Sequence, residues 1–137
     1  MKNSKFQFSN PNLTKLVFKA NPDFEQSLYK GISLESKTHI LKSKENSNAI
    51  VELIVLVGKE AREYPFFVEV AMNAEFMWEK ELDEEVVDDL LKKNAPSLIL
   101  SYIRPIIATV TNNSQYPVFN LPYIDMQDNV AIMEERE

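Results

Sequence analysis

The sequence predicts an α+β domain in which a four-stranded antiparallel sheet is followed by helices. Apolar and polar residues alternate with period two in several segments up to Trp78, and short polar connections separate these segments. Helical periodicity begins only after Leu82, so strands and helices are segregated along the chain. The length of 137 residues suits a single domain, 1–137, that can bury a core of its own.

Four segments have the pattern of strands. Leu16–Ala20 predicts a strand that ends at a turn, and Gly31–Leu41 alternates as expected for a half-solvated strand. The wholly polar stretch Lys42–Asn48 predicts a hairpin connection. The next strand, Ile50–Val57, is apolar on both faces except for one glutamate, which predicts cover by a second chain. Phe66–Trp78 predicts the fourth strand, with one unbroken apolar face.

Two helices are predicted after the strands. Asp83 is the expected N-cap of a short helix that ends at Asn94. The second helix, Ser97–Thr111, is apolar around most of its circumference, so we expect it to be buried between subunits. Pro105 inside this helix should kink it. The residues expected at the oligomer interface are Ile54, Leu56, Ile99, Tyr102, Ile103, Ile106 and Val110.

One charged residue, Arg104, lies on this largely apolar helix. An unpaired buried charge costs several kcal/mol, so the guanidinium group needs a partner. We expect Arg104 to act at a subunit interface or to anchor a loop, with Glu69 or Glu52 as its partner.

The composition argues against catalysis, metal binding and nucleic-acid binding. With no cysteine and one histidine, His39, the chain lacks the residues for thiolate or paired-histidine metal sites and for a recognisable nucleophile–base pair. Two glycines are too few for a glycine-rich phosphate loop, and the net charge of −6 opposes binding to nucleic acid or an anionic membrane. We therefore expect a non-enzymatic protein without a cofactor or metal. No signal peptide or membrane span is recognisable, which predicts a cytoplasmic protein with flexible ends at 1–10 and 127–137.

The long helix and the loop after it carry a resemblance to a known family. The helix segment Pro96–Arg104 contains a proline, an apolar pair and a final Tyr-x-Arg pairing, and the loop Tyr116–Pro122 contains an Asn-Leu pair. Leu16–Phe18 and the turn that follows add a matching first strand. Together these segments resemble the SecB export-chaperone family, and the similarity extends over residues 6–126.

The resemblance implies a four-stranded antiparallel sheet, two helices and a short C-terminal helix. It implies a homotetramer, built as a dimer of dimers, that acts as an ATP-independent holdase and keeps precursor polypeptides competent for export by the Sec translocase. It also implies docking to the translocase motor ATPase, SecA, for which Glu69 matches one acidic position. Lys15 and Lys19 stand where the family has acids, and a reversed charge inverts such a contact. The polar C-terminal extension of the family is short in this sequence.

An apolar set rich in methionine and aromatic side chains is the expected client groove of such a chaperone. Flexible thioethers and aromatic rings suit promiscuous apolar binding, although for any single residue a core or subunit-interface role is the more ordinary explanation, and it is the set as a whole that favours a groove. The expected groove residues are Met72, Phe76, Met77, Trp78, Ile124, Met126, Ile132 and Met133.

Two other functions stay open from the sequence. The same fold can serve a single dedicated client, such as an aggregation-prone antitoxin. The other alternative is a domain that binds a small hydrophobic ligand between the sheet and the long helix. The residues alone do not identify the client.

Overall fold

The computed structural model describes residues 4–126 and 129–136, which form a six-stranded sheet with one long helical segment against it. The strands are β1 (Phe6–Phe8), β2 (Asn12–Ala20), β3 (Leu34–Ser43), β4 (Asn48–Gly58), β5 (Phe66–Trp78) and β6 (Val130–Glu135). The helices are α1 (Glu84–Asp89) and α2 (Ala95–Asn112), and a short 3₁₀ turn covers Gln26–Leu28. Part of each predicted flexible end, residues 1–3, 127–128 and 137, lies outside the described residues.

The strand order confirms the predicted α+β class. β5, β4 and β3 are antiparallel neighbours, and β1 and β2 share the outer edge of β5. All four predicted strands are present as β2 to β5. β1 is an addition to the prediction, because a Phe-Gln-Phe segment in the expected flexible end pairs with the last residues of β5.

The last element corrects the prediction of a short C-terminal helix. Residues Val130–Glu135 form β6, which pairs in parallel with β3. A short apolar run of this kind does not distinguish helix from strand by periodicity. The edge of β3 offers unpaired backbone donors and acceptors, and the segment satisfies them as a strand.

One face of the sheet carries the core. On β4 the alternate residues from Ala49 to Val57 are buried, and they face Ile99, Ile103 and Ile107 of α2. The other face of β4 carries apolar side chains such as Ile54 and Leu56, which are half-buried in the single chain. The prediction that β4 is apolar on both faces is therefore confirmed. Its cover by a second chain stays a prediction.

The two helices are continuous, so the predicted helix end at Asn94 is wrong. Residues 90–94 form a π-helical turn, in which the Ala95 N–H donates to the Leu90 carbonyl five residues earlier. Pro96 has no N–H and cannot complete the usual bond to the fourth residue before it. A wider turn is a common way for a helix to absorb such a defect, and the chain continues without a break into α2.

Lys42 joins the sheet to α1 through a buried ion pair. The predicted hairpin connection began at this residue, but Lys42 lies within β3, and its side chain is only 2% exposed. Its Nζ lies 2.6 Å from Asp88 Oδ1 and 3.5 Å from Glu84 Oε1. A buried ammonium group needs such partners, because desolvation would otherwise make its burial very costly. The pair therefore fixes α1 against the end of β3.

A second lysine, Lys44, extends this contact at the surface. Its Nζ lies 3.1 Å from Glu84 Oε2, and the hydrogen bond from Lys44 holds the pKa of Glu84 below its ordinary value of 4.5. A carboxylate with a lowered pKa stabilises the fold above its unfolded pKa. That contribution is lost as the pH falls through the folded value. The contact between the hairpin and α1 is therefore weakest in acid.

Replacing Asp88 by Asn should destabilise the fold more than replacing Lys42 by Met. Asp88→Asn leaves the buried ammonium with the more distant Glu84, and we expect a loss of roughly 1–3 kcal/mol in the free energy of unfolding. Lys42→Met removes the charge and keeps most of the buried volume, while the partly exposed Asp88 is hydrated instead. Urea unfolding of both variants measures the difference. An equal or larger loss in Lys42→Met would contradict this explanation.

Candidate functional site

A groove runs between the first half of α2 and the segment 121–126 that follows the helix. It consists of two adjoining cavities of about 610 and 390 Å³. Both are lined by Ser97 on α2 and by Tyr123, Ile124 and Met126. One wall therefore belongs to a regular helix, and the other is an irregular segment without a strand or helix of its own until Met126.

Arg104 holds the irregular wall in place. Its two terminal nitrogens donate hydrogen bonds to the backbone carbonyls of Leu121, at 2.5 Å, and Pro122, at 2.9 Å. The predicted loop-anchoring role is therefore confirmed. The predicted partners Glu52 and Glu69 are wrong, because both lie on the outer face of the sheet, opposite to the face on which α2 packs.

The groove has an apolar base and an exposed aromatic edge, and its larger cavity is also lined by Lys93, Asn94 and Asp125. Leu100 and Met126 are buried at its base, and Ile124 is half-buried in its wall. The Tyr123 side chain is fully exposed, and its ring centroid lies 6.0 Å from the Arg104 guanidinium carbon. A tyrosine in this position presents a large apolar ring to solvent at low conformational cost. The arrangement can accept apolar side chains from another molecule.

Two of the eight predicted groove residues, Ile124 and Met126, line this groove. Met72 and Phe76 lie in the core on the inner face of β5. Trp78, at the end of that face, stacks on Phe6 with ring centroids 6.2 Å apart.

The remaining three predicted groove residues lie elsewhere in the sheet. Met77 is on the outer face of β5, and Ile132 and Met133 belong to β6. The eight residues therefore do not form one surface of the single chain. Tyr123 was not among the predicted groove residues, because its place after Pro122 in an irregular segment gives no periodic signal.

The predicted oligomer-interface residues divide into three groups. Ile99 and Ile103 are buried against the sheet within the chain. Tyr102, Ile106 and Val110 lie on another side of α2, and Tyr102 is 40% exposed there. The third group, Ile54 and Leu56, is half-buried on the outer face of the sheet.

The acidic position predicted to dock the motor is already paired within the chain. Glu69 lies on the outer face of β5, and its Oε2 is 3.1 Å from the Nζ of Lys15 on β2. Lys19, further along β2, pairs with Glu60 at 2.8 Å. Both of the lysines that replace expected acids therefore neutralise neighbouring glutamates.

Among residues 4–126 and 129–136, no three potential metal-ligating side chains lie close enough together to hold an ion. Neither helix there combines the length and apolar character that crossing a membrane requires.

The fold has known structural counterparts. A SecB-like chaperone from Mycobacterium tuberculosis, solved in complex with a peptide from an antitoxin, superposes with a TM-score of 0.65. The match covers 88% of this chain and 91% of that chain at 13% sequence identity. A protein of unknown function from Streptococcus agalactiae superposes with a TM-score of 0.54 at 11% identity, covering 86% and 97% of the two chains. The molecule therefore has the α+β fold of SecB-like proteins.

The sequence comparisons identify the family. The family model described as preprotein translocase subunit SecB matches residues 5–131, so the chain belongs to the SecB family. A protein-export protein SecB from Ehrlichia ruminantium is 28% identical over 135 residues, which cover 88% of this chain and 78% of the relative. A protein-export protein SecB from Anaplasma phagocytophilum is 29% identical over 129 residues, with 86% and 79% covered.

Proposed function

We propose that the protein is a molecular chaperone that binds non-native polypeptides in the groove between α2 and residues 121–126, without nucleotide. The observation that carries the proposal is the fully exposed Tyr123 beside a groove with the buried Leu100 and Met126 at its base. Membership of the SecB family supports the same role. The peptide bound to the Mycobacterium tuberculosis SecB-like chaperone is a related case of polypeptide binding on this fold.

Binding in this groove would depend mainly on apolar burial. Each Å² of apolar surface removed from water contributes about 25 cal/mol before the cost of ordering the client. Several such contacts along one extended chain add their effects through high local concentration, so no single contact has to be strong. A protein that binds the unfolded state in this way shifts folding by mass action alone.

The wild-type protein should suppress aggregation of a chemically denatured enzyme on dilution, at stoichiometric amounts and without nucleotide. Tyr123→Asp places a charge on the edge of the groove and should raise the amount of protein needed for half protection several-fold. Because Tyr123 is fully exposed, the substitution should leave the unfolding temperature unchanged. Light scattering during dilution measures the protection.

Leu28→Asp is the matched control for this experiment. Leu28 is an exposed apolar residue in the 3₁₀ turn, away from the groove. The Leu28→Asp variant should protect the client as well as the wild type does. Unchanged scattering with the wild type would refute the chaperone role, and equal loss in both variants would refute the groove as the client site.

We propose precursor polypeptides as the clients, held competent for export by the Sec translocase in the cytoplasm. The names of the Ehrlichia and Anaplasma relatives favour this client class. The antitoxin peptide bound to the Mycobacterium tuberculosis chaperone favours the alternative of one dedicated client. Affinity purification from the native host distinguishes them, because a general chaperone recovers many precursors and a dedicated one recovers a single dominant protein.

SecA is the proposed motor partner, and Lys15 is the residue that would limit its binding. In this proposal Glu69 provides the acidic docking position, and its ion pair with Lys15 has to open before SecA binds. Lys15→Glu should therefore increase the affinity for SecA several-fold, since it frees Glu69 and adds a second acid. Isothermal titration calorimetry with purified SecA measures this. Lys37→Glu is the control, because Lys37 lies on β3 on the same outer face of the sheet. An equal gain there would indicate a non-specific charge effect.

We propose a homotetramer, with one contact through the Tyr102 side of α2 and another through the outer face of β4. Multi-angle light scattering should give about four times the chain mass of 15.8 kDa. Tyr102→Glu should reduce that mass, because it buries a charge in an apolar contact. Ser101→Glu, on a neighbouring side of α2, should leave it unchanged. A monomeric wild type, or a Tyr102→Glu variant of full mass, would contradict this assembly.

A further inference from the structure

The strand β6 differs from the other strands in how it is paired. It runs parallel to β3, whereas the remaining strand pairs among the described residues are antiparallel. Parallel pairing is slightly less stable per residue than antiparallel pairing. β6 also lies at the end of the strand order, so β3 is its sole neighbour in the described sheet. Per residue, the parallel pairing of β6 with β3 is therefore less stable than the antiparallel pairings in the described sheet.

The side chains of β6 add little to that pairing. All six are exposed or half-buried, and Val130 and Ile132 on the outer face are 59% and 46% exposed. The inward-facing Ala131 and Met133 are half-buried against the edge of the core. In β4, by contrast, every second side chain is fully buried. The side chains of β6 are therefore much less buried than those of β4.

Polar contacts at its two ends hold β6 in position. Ser36 Oγ donates to Asn129 Oδ1 at 2.6 Å, and Asn129 Nδ2 donates to Thr38 Oγ1. At the other end the Arg136 N–H donates to the Lys42 carbonyl at 2.7 Å. Hydrogen bonds of this kind are readily exchanged for bonds to water, so their net contribution to docking is modest.

The edge of β3 nevertheless requires a neighbour. On β3, the strand beside β6, the side chains of Thr38, Ile40 and Lys42 are at most 2% exposed. Removing β6 without replacement would leave a row of backbone donors and acceptors unpaired beside this buried side-chain row. Any extended segment with suitable side chains would satisfy the same backbone groups, because strand addition depends on the main chain.

We propose that the edge of β3 is a second client-binding site, at which an extended client segment pairs with β3 and displaces β6. The inference rests on the proposed chaperone function and adds a binding mode to it. β6 itself indicates the chemistry of the client segment. That segment has about six residues, lacks proline, and places small or flexible apolar side chains where Ala131 and Met133 now lie. Main-chain pairing is independent of sequence, which suits a site for many clients.

A reversible cross-link tests the displacement directly. His39 and Ile132 are register partners on the exposed face of β3 and β6, and the chain has no other cysteine to interfere. In the double variant His39→Cys/Ile132→Cys, the disulfide should prevent β6 from leaving. The amount of oxidised double variant needed for half protection of an unfolded client should be several-fold higher than that of the wild type. Thiol titration checks that oxidation is complete. Reduction should restore the wild-type value.

The controls separate this inference from the proposed function. The single variants His39→Cys and Ile132→Cys, treated with the same oxidant, should protect as well as the wild type. Full protection by the oxidised double variant would overturn the displacement of β6 and leave the chaperone function intact. A wild type that fails to protect at all would overturn both.

Hydrogen exchange distinguishes strand replacement from simple loosening. On addition of an unfolded client, the amides of β6 should exchange faster, while those of β3 keep their protection because the client replaces β6. Loss of protection in both strands, or in neither, would contradict the proposal. If the mass of the chaperone increased without bound client, β6 would be exchanging between copies of this chain. That result would also contradict the proposal.

A loosening variant provides a second, independent measurement. Asn129→Ala removes the hydrogen bonds to Ser36 and Thr38 and increases the fraction of molecules with a free β3 edge. Apparent client affinity should rise roughly two- to tenfold, because affinity scales with the binding-competent fraction. Asn46→Ala, in the exposed β3–β4 hairpin, is the matched control and should leave affinity unchanged. A lower affinity in Asn129→Ala would show that β6 contributes to client binding and would overturn the proposal.

Discussion

The two-sided sheet is the constraint on which the rest of the structure depends. β4 and β5 carry apolar residues on both faces of the sheet. Among the described residues, one long helical segment packs against one of these two faces. The inner face becomes the core, and the outer face keeps half-buried side chains such as Ile54 and Leu56. A chain of this kind keeps apolar surface that it does not bury alone, and surfaces of this kind are typical of contacts with other molecules.

The prediction from sequence was most successful where periodicity carries the information. β3, β4 and β5 follow their alternation closely, and α2 begins and ends within two residues of its predicted bounds. The prediction failed where tertiary contacts decide the local structure. Lys42 lies in a polar run and nevertheless is buried, because Asp88 approaches it from α1, far away in sequence. Val130–Glu135 becomes a strand because the edge of β3 is open to it.

The candidate site was predictable only in part for the same reason. Arg104 was expected to act at a subunit interface or to anchor a loop, and its hydrogen bonds to Leu121 and Pro122 show the loop anchor. The selection of groove residues from hydrophobicity alone placed core residues such as Phe76 beside surface residues such as Ile124. Tyr123 carries no periodic signal, and it follows directly after the two residues whose carbonyls accept hydrogen bonds from Arg104. Hydrophobicity identifies the kind of surface, and the hydrogen bonds determine its location.

The π-helical turn at 90–94 sets the angular relation between the two parts of the helical segment. Successive residues of an α-helix are separated by about 100° around the axis, and a single-residue insertion offsets everything before it by that amount. The offset lets Asp88 face Lys42 on β3 while Ser97, beyond the turn, faces the groove. A one-residue deletion within 90–94 would restore a regular helix and make these two orientations incompatible. The π-helical turn therefore changes the angular positions of the residues before it relative to those after it. As a result, one continuous helix contacts the sheet through Asp88 and lines the groove through Ser97.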